Sequence, residues 1–370
     1  MEIISVNSKK TFKKFIRVPG QLFKNYKNWV PELDFDVKHT LTSKNPFFNH
    51  GIKKLFIAYN NGVPIGRIGA IIDWNFVDFQ EEKTGFFGFF DCVDSSEVGK
   101  ALFNAAQTYL RKNGMNKVIG PMNPSSNDKC GMLIEGFNDP PRVLMPYNPD
   151  YYNRLVEENG FEKAKDLVAM NMDVSGGPRS RLERIFRKIK NKYPHLNSRP
   201  VNKKDFEREV KRVREVYNSA WEKNWGFVPW TSKEIDDLAQ QLKPLVIEEL
   251  LQIGFWKDTP VGFLLALPDY NEVIKKIGPK LFPFGWLKFL WYKNKIQNLR
   301  LMAMGVKKEF QNKGVGPLMY YNSLVQAMKL GYKECEFSWI LEDNKDTIKI
   351  GEMMGAKIYK KYRIYKRNLT

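Results

Sequence analysis

Two short sequences recur at a single spacing, and this repetition constrains the fold more than any other feature. Lys27-Asn28-Trp29 recurs as Lys223-Asn224-Trp225, and Val63-Pro64-Ile65-Gly66 recurs as Thr259-Pro260-Val261-Gly262, each pair 196 positions apart. Self-similarity at a long period indicates a duplicated structural unit. The length of 370 residues also favours two domains, since one domain usually holds about 150 residues. We therefore expect two related units.

Two later pairs of glycines extend the alignment of the repeats. Gly114 matches Gly331, and Gly160 matches Gly355, with shifts that place an extra segment in each repeat. The predicted organisation is a first repeat over residues 1–174 with a long loop at 120–150, a basic amphipathic linker helix over 175–200, and a second repeat over 201–370 with an aromatic insertion at 269–295.

A glycine-containing turn in the second repeat is the strongest functional motif. It reads Gln311-Asn312-Lys313-Gly314-Val315-Gly316, follows the apolar run Leu299 to Val306, and precedes a helical pattern that ends at Gly331. Glycines between a strand and a helix allow close approach of a ligand, so that backbone amides and the helix N-terminus can bind phosphate oxygens. The turn is predicted to bind a pyrophosphate group.

The elements around this turn resemble the GNAT superfamily of N-acyltransferases. The order strand, loop, long helix, strand, short helix, strand is that of a GNAT domain, and Asn344 and Gly355 match the short-helix motif. The resemblance implies an α+β fold of two tandem GNAT-like domains, each a mixed, mostly antiparallel twisted sheet flanked by helices. It also implies acyl-CoA as co-substrate, bound by Met304, Gly305, Val306, Gln311, Asn312, Lys313, Gly314, Val315, Gly316 and Asn344, with strand amides polarising the thioester carbonyl.

One position departs from the family pattern. Gly351 stands where GNAT proteins often have a tyrosine that protonates the leaving thiolate. Binding of the acyl donor is therefore better supported by the sequence than the chemistry of transfer. A GNAT-like scaffold without activity is the alternative, because a fold does not by itself imply a function.

The corresponding turn of the first repeat is a poor phosphate loop. It has one glycine, Gly99, and is shorter, and Asp94 and Glu97 would repel an anion. We expect the acyl donor to bind the second repeat only. The first repeat is then expected to serve the acceptor.

The loop at 120–150 is the feature of the first repeat that suggests this role. Such a long loop in a compact domain is usually functional or disordered, and its apolar content argues against disorder. Its candidate proton-transfer residues, with those just after it, are Asp128, Glu135, Tyr147, Tyr151 and Tyr152. The alternative for each is structural: the aspartate caps a turn, the glutamate faces solvent, and the tyrosines pack under the loop.

The charge and two unusual segments narrow the choice of partners. The chain has 60 Lys and Arg against 41 Asp and Glu, for a net charge of +19, so polyanions are favoured: CoA, acyl carrier protein, anionic lipid or nucleic acid. The stretch from Arg179 to Lys192 predicts an amphipathic helix with a basic face, either a solvated bridge or a membrane contact. Leu281 to Tyr292 places six aromatic residues between lysines, which suits a bilayer interface, the entrance of an acyl chain, or core packing.

Several classes of protein are not indicated. Cys92, Cys130 and Cys335 lack C-x-x-C spacing, and the three histidines lie in unrelated contexts, so neither a metal site nor a disulfide framework is expected. No signal-peptide pattern and no run of 18 apolar residues is present. We expect a cytoplasmic protein that can associate with the inner face of the membrane. Nucleic-acid binding is supported by charge alone.

The sequence thus predicts an N-acyltransferase that uses acyl-CoA or an acylated carrier protein and an amine acceptor. The loop at 120–150 also resembles that of a bacterial family of tandem GNAT-like proteins, some linked to N-acylation of long-chain amino lipids, which makes an amphipathic amino lipid the expected acceptor. Two alternatives remain: a non-catalytic module that binds an anionic partner, and an aminoacyl-tRNA-dependent transferase of the Fem type.

Overall fold

The computed structural model describes residues 1–177, 180–222 and 224–369. Arg179 of the predicted basic helix and Lys223 of the repeated motif lie outside these ranges. The described α-helices are α1 (Lys9–Leu22), α2 (Asp34–Thr40), α3 (Trp74–Gln80), α4 (Ser96–Lys112), α5 (Tyr151–Glu158), α6 (Ser180–Lys192), α7 (Phe206–Trp221), α8 (Ser232–Leu242), α9 (Asn271–Ile277), α10 (Gly285–Tyr292), α11 (Val315–Lys329) and α12 (Lys345–Met354).

The strands lie between these helices, singly or in runs. They are β1 (Glu2–Ser5), β2 (Gly51–Asn60), β3 (Val63–Asp73), β4 (Thr84–Cys92), β5 (Lys117–Gly120), β6 (Met122–Asn123), β7 (Lys129–Cys130), β8 (Met132–Glu135), β9 (Glu162–Asp173), β10 (Leu196–Pro200), β11 (Leu251–Trp256), β12 (Thr259–Pro268), β13 (Asn298–Val306), β14 (Glu334–Leu341) and β15 (Lys357–Asn368).

The first compact unit is assembled from three segments of the chain. It contains Met1–Leu167, Asn271–Trp291 and the C-terminal residues from Lys360 onward. Its sheet has the order β1-β2-β3-β4-β5-β15-β9, and β8 also pairs with β15. Strands β4 and β5 are parallel, whereas β15 runs antiparallel to β5. A strand from the end of the chain is therefore part of the sheet of the first unit.

Apolar burial explains why the C-terminal strand belongs to this unit. Tyr362, Ile364 and Tyr365 of β15 are almost fully buried, and Tyr365 packs in the same apolar core as Phe87 and Tyr152. Arg363 adds two hydrogen bonds to Asp166 of β9, at 2.8 and 3.0 Å. The first unit would lose part of its core and one sheet strand without this segment.

The second compact unit comprises Val168–Tyr270 and Tyr292–Tyr359. Its sheet has the order β9-β14-β13-β12-β11-β10, so the last residues of β9, which precede the second repeat in sequence, are part of it. Strands β13 and β14 are parallel, and β12 and β11 pair antiparallel. Helix α11 packs on this sheet, and α6 packs on α11.

The predicted fold class is confirmed: the chain is α+β, with two units, each built on a mixed sheet flanked by helices. The compact units differ from the predicted ranges 1–174 and 201–370, because β15 and the segment Asn271–Trp291 belong to the first unit. The range 175–200 also holds more than a linker helix, since β10 at its end is a strand of the second sheet.

Candidate functional site

The helix α11 begins at the predicted phosphate loop. Gly314 is its N-cap in the left-handed conformation, with φ of +79° and no side-chain cap hydrogen bond. The first amides of an α-helix have no acceptor within the helix, and here they belong to Val315 and Gly316, ahead of Pro317, which has none. A helix start of this kind favours a phosphate group.

Glycines also bring this helix start close to the sheet. A Cβ atom at Gly262 would lie 2.8 Å from Val315 Cγ1, and one at Gly254 would lie 3.1 Å from the same atom. Gly316 faces Met304 of β13, whose Cε would lie 2.9 Å from an added Cβ. Side chains at these glycines would push the loop away from the strand that leads into it.

The remaining loop residues are held by aromatic and backbone groups. The Lys313 ammonium lies 4.6 Å from the centre of the Phe310 ring and 5.2 Å from that of Trp256. Gln311 Nε2 donates to Val306 O at 3.4 Å. Both side chains therefore stabilise the shape of the loop.

The basic helix α6 packs directly beside this loop. An added Cβ at Gly314 would lie 2.8 Å from Ile189 Cγ1, and the ring of Phe186 stacks on Tyr321 of α11 with centroids 4.0 Å apart. The helix predicted as a linker thus uses its apolar side to cover the start of α11. Sequence reasoning did not connect these two segments.

The strand β13 is irregular near the amides that are predicted to contact the acyl donor. Leu265 pairs with Ala303 and Ala266 with Leu301, so Met302 is an extra residue that forms a bulge. The parallel register with β14 ends at Leu301, although β13 continues to Val306 and β14 to Leu341. Within the described chain, the edge of β13 from Met302 to Val306 is therefore not paired with β14.

A buried polar network lies where these two strands separate. Arg300, which is 1% exposed, donates to Ser338 Oγ at 2.9 Å and to Ser338 O at 3.1 Å. The fully buried carboxylate of Glu336 accepts hydrogen bonds from the hydroxyls of Ser338 and Tyr359. Sequence analysis missed this network. Its signal was an arginine and a glutamate within strand patterns that read as buried, where charges are rare unless paired.

The short helix α12 explains the departure at Gly351. An added Cβ there would lie 2.8 Å from Met170 Sδ of β9, so the space that a tyrosine would need is filled. Asn344, a predicted cofactor-binding residue, is the N-cap of this helix and accepts from Thr347 N at 3.2 Å. Its contact with an acyl donor stays a prediction.

The equivalent positions of the first unit are closed by the protein itself. The N-cap of α4 is Ser95, whose side chain accepts from Val98 N. Strand β4 also bulges, between Gly88 and Asp91, and the amide of Phe89 donates to Asn123 Oδ1 at 2.6 Å. A Cβ at Gly88 would lie 1.9 Å from Met122 O. The strand β6 therefore occupies the edge that is unpaired in the second unit.

The two carboxylates predicted for proton transfer have structural partners. Asp128 accepts from Ser125 Oγ at 2.7 Å and from Ser125 N at 3.3 Å, which forms a turn. Glu135 lies on β8 with its side chain 57% exposed and is paired with Lys361 at 2.8 Å. These contacts match the structural alternative, and a catalytic role for either residue stays a prediction.

The three predicted tyrosines bind backbone groups of the first unit. Tyr151 OH donates to Cys92 O, and Tyr152 OH accepts from Cys92 N, both at 2.7 Å. Burial raises the pKa of Tyr152 well above its usual value, and the nearby charge of Asp91 raises it further. Tyr147 OH is 3.5 Å from Phe137 O. The hydroxyls of Tyr151 and Tyr152 thus hold α5 against the end of β4.

Other site types have little support in the described chain. It contains no group of three or more His, Cys, Asp or Glu side chains placed to hold a metal ion. Cys92, Cys130 and Cys335 are buried and form no disulfide in the described chain. Among the helices of the described ranges, none combines the length and apolar character needed to cross a membrane.

Two curated proteins resemble the chain over nearly its full length, whereas no protein-family profile matches it. The protein YghO of Escherichia coli is 34% identical over 98% of this chain and 94% of its own length. The bacterial ceramide synthase of Caulobacter vibrioides is 37% identical over 100% of this chain and 98% of its own length. Identity of this extent shows common membership of one family.

Solved structures show the same fold at low sequence identity. A tandem GNAT protein from the clavulanic acid biosynthesis pathway has a TM-score of 0.61 and 10% identity, covering 100% of this chain and 99% of its own. A GCN5-related N-acetyltransferase from Sphaerobacter thermophilus has a TM-score of 0.54 and 11% identity, covering 99% and 96% of the two chains. The chain therefore has the fold of tandem GNAT proteins, and it belongs to the family of YghO and the bacterial ceramide synthase of Caulobacter vibrioides.

Proposed function

We propose that the protein transfers an acyl group from a thioester donor, acyl-CoA or an acylated carrier protein, to an amine. One observation carries this proposal: α11 begins at Gly314 without a side-chain cap, beside the bulged and unpaired end of β13. The amides of Val315 and Gly316 fit a pyrophosphate or phosphopantetheine phosphate. The amides along Met304 to Val306 fit a thioester carbonyl, whose oxygen gains negative charge in the transition state.

The chemistry requires proton transfer as well as binding. The amine nitrogen forms a bond to the carbonyl carbon, the carbon–sulfur bond breaks, the nitrogen loses a proton, and the thiolate gains one. We propose that Glu336, linked to the hydroxyls of Ser338 and Tyr359, takes part in these transfers. Tyr359 would then take the role of the tyrosine that GNAT proteins often have at the position of Gly351, where Met170 fills the space. Glu135, Asp128, Tyr147, Tyr151 and Tyr152 remain the alternative set.

The acceptor we propose is a long-chain amine with a polar head. The 37% identity to a protein named bacterial ceramide synthase supports it, because a ceramide is an N-acylated long-chain amino alcohol. The exposed aromatic side chains of Phe282, Phe284 and Trp291 are also suited to binding amphipathic molecules. A small soluble amine would need no such surface.

Donor binding is tested by a matched pair of glycine variants at opposite ends of α11. Gly314 and Gly331 both have φ of +79°, but only Gly314 lies in the loop, and a Cβ at Gly331 meets no atom within 4 Å. Alanine at either position costs about 1 kcal/mol of backbone strain. Palmitoyl-CoA should raise the melting temperature of the wild type and of Gly331→Ala, but not that of Gly314→Ala. An equal rise in all three proteins would contradict the assigned loop.

Transfer is tested by mass spectrometry of the product. Purified protein, palmitoyl-CoA or palmitoylated carrier protein, and a long-chain amino alcohol should give the N-acyl amide and free thiol in equal amounts. A short amino alcohol of the same head group serves as the control acceptor and should react more slowly. Binding of the donor without amide formation from any amine would instead support a non-catalytic binding protein.

A further inference from the structure

The first unit exposes an apolar surface that its own fold does not cover. Phe282 is 79% exposed, Phe284 68% and Trp291 65%, values far above those of aromatic residues in a core. The exposed large apolar side chains of the segment Asn271–Trp291, here called the aromatic surface, are Phe282, Phe284, Trp286, Leu287, Leu290 and Trp291. A soluble protein seldom exposes so many large apolar side chains in one segment unless they bind something.

The segment that carries this surface is anchored to the rest of the unit. The amide of Asp34, which starts α2 and precedes Phe35, donates to Pro279 O at 3.0 Å. Asn271 Nδ2 donates to Pro141 O at 2.8 Å and to Arg142 O at 3.0 Å, at the end of the long loop. Val273 of α9 is 1% exposed. The exposed aromatic side chains therefore belong to a segment that hydrogen bonds and a buried side chain fix to the rest of the unit.

The charges around the aromatic surface indicate the nature of its partner. The segment Asn271–Trp291 contains Lys275, Lys276, Lys280 and Lys288 but only one acidic residue, Glu272. A second copy of this chain would bring lysines against lysines, on a protein whose net charge is already +19. Aromatic rings next to lysines match the interface of a bilayer with anionic lipids, where rings sit at the level of the head groups.

We propose that the aromatic surface docks the protein onto the interface of an anionic bilayer. Helix α10 has 8 residues, about 12 Å in length, which is far too short to span a membrane and suits a position in its surface plane. The purpose of docking rests on the proposed function: a long-chain amine resides in the bilayer and can be taken from it. The docking itself is independent of catalysis.

Vesicle sedimentation tests the proposal directly. The wild type should bind phosphatidylcholine vesicles that contain phosphatidylglycerol and should bind pure phosphatidylcholine vesicles more weakly. The triple variant Phe282→Ser, Phe284→Ser, Trp291→Ser should lose at least about tenfold in its partition coefficient, because each ring removes apolar area from water on insertion. The variant Lys275→Glu, Lys276→Glu, Lys280→Glu should lose the preference for phosphatidylglycerol.

The matched control is Phe79→Ser, which removes an aromatic side chain that is 43% exposed and lies outside the aromatic surface. It should bind vesicles as the wild type does. Transfer to a short soluble amine should persist in the triple variant, so that loss of docking is distinguished from loss of catalysis. Unchanged vesicle binding by the triple variant would overturn the proposal. A wild-type dimer that the triple variant converts to a monomer, with vesicle binding unaffected, would assign the surface to a second copy instead.

Discussion

The two repeats share the same order of strand and helix, but they differ in how the backbone groups at the junction of strand and helix are hydrogen-bonded. In the first, Ser95 caps α4 and Asn123 accepts a hydrogen bond from the amide of Phe89 in the bulge of β4. In the second, Gly314 begins α11 without a side-chain cap, and the end of β13 is not paired with β14 in the described chain. Polar backbone groups must find partners. The first junction satisfies these groups with its own side chains, and the second is the one at which we propose that the donor binds.

The long loop of the first repeat is the physical cause of this difference. Its strand β6 follows β5 directly and lies so close to β4 that only glycine fits at position 88, with Met122 O 1.9 Å from where a Cβ would be. In the second repeat, β14 is followed by a short turn and α12. The insertion that suggested an acceptor site therefore also closes the donor edge of its own unit.

The largest expected effect is that of removing the end of β15, which tests whether the first unit folds without a strand from the end of the chain. Truncation after Tyr359 removes most of β15, including the residues that pair with β5. It also removes Tyr362, Ile364 and Tyr365, which are buried in the first unit. The truncated chain should fail to give soluble, cooperatively folding protein, as measured by yield and by thermal denaturation followed by circular dichroism. In the full chain, Ile364→Ala should be milder, with a loss of about 2–5 kcal/mol in the free energy of unfolding. A truncated chain with native melting would show that β15 is dispensable.

The second prediction decides which repeat carries out proton transfer. Glu336→Gln should lower kcat at least about 100-fold, because the amide cannot accept a proton, while palmitoyl-CoA still raises the melting temperature. The control is Glu135→Gln, whose exposed side chain is paired with Lys361 at the surface and which should stay within about twofold of the wild type. Steady-state kinetics of amide formation measure both. The reverse order would place proton transfer in the loop of the first repeat.

A third prediction opens the closed edge of the first unit. Asn123→Ala removes the acceptor of the Phe89 amide and should lower the free energy of unfolding by about 1–3 kcal/mol, since a buried donor loses its partner. Asn123→Asp keeps an acceptor and should be less harmful. Donor-induced stabilisation should be unchanged in both variants, as measured by thermal shift. Its loss would mean that the first unit also binds the donor.

The smallest expected effect concerns Gly351. Gly351→Ala should cost about 1–3 kcal/mol, because the added methyl meets Met170 Sδ at 2.8 Å in a packed core. The double variant Gly351→Ala, Met170→Ala should recover part of this cost. Chemical denaturation of the wild type, the two single variants and the double variant measures the four free energies of unfolding. Additive losses would show that the space at Gly351 is not limited by Met170.

Local sequence patterns predicted the elements well. The apolar run before Gln311 predicted a strand where β13 occurs, and the helix ending at Gly331 is α11, with Gly331 in the left-handed conformation. These features depend on residues close in sequence, whose periodicity and turn preferences act locally. The difference between Gly99 and the pair Gly314 and Gly316 predicts that only the second turn binds a phosphate, and this stays a prediction.

Partners distant in sequence were not predicted. Nothing near Ile189 indicates that it packs on Gly314, and nothing near Arg300 indicates a network with Ser338, Glu336 and Tyr359. Such contacts arise when strands and helices pack, so their energies depend on residues tens to hundreds of positions apart. The Tyr151 and Tyr152 hydroxyls illustrate the same limit, because their partner Cys92 lies in another element.

By itself, the sequence determined the duplication, the α+β elements and the glycine turn that begins α11, because repeated motifs, periodicity and left-handed glycines are local properties of the chain. Only the tertiary structure decided that β15 completes the sheet of the first unit, that Asn123 closes the edge of β4, and that the aromatic segment faces solvent. Each of these outcomes depends on which polar groups and apolar surfaces find partners when the whole chain packs.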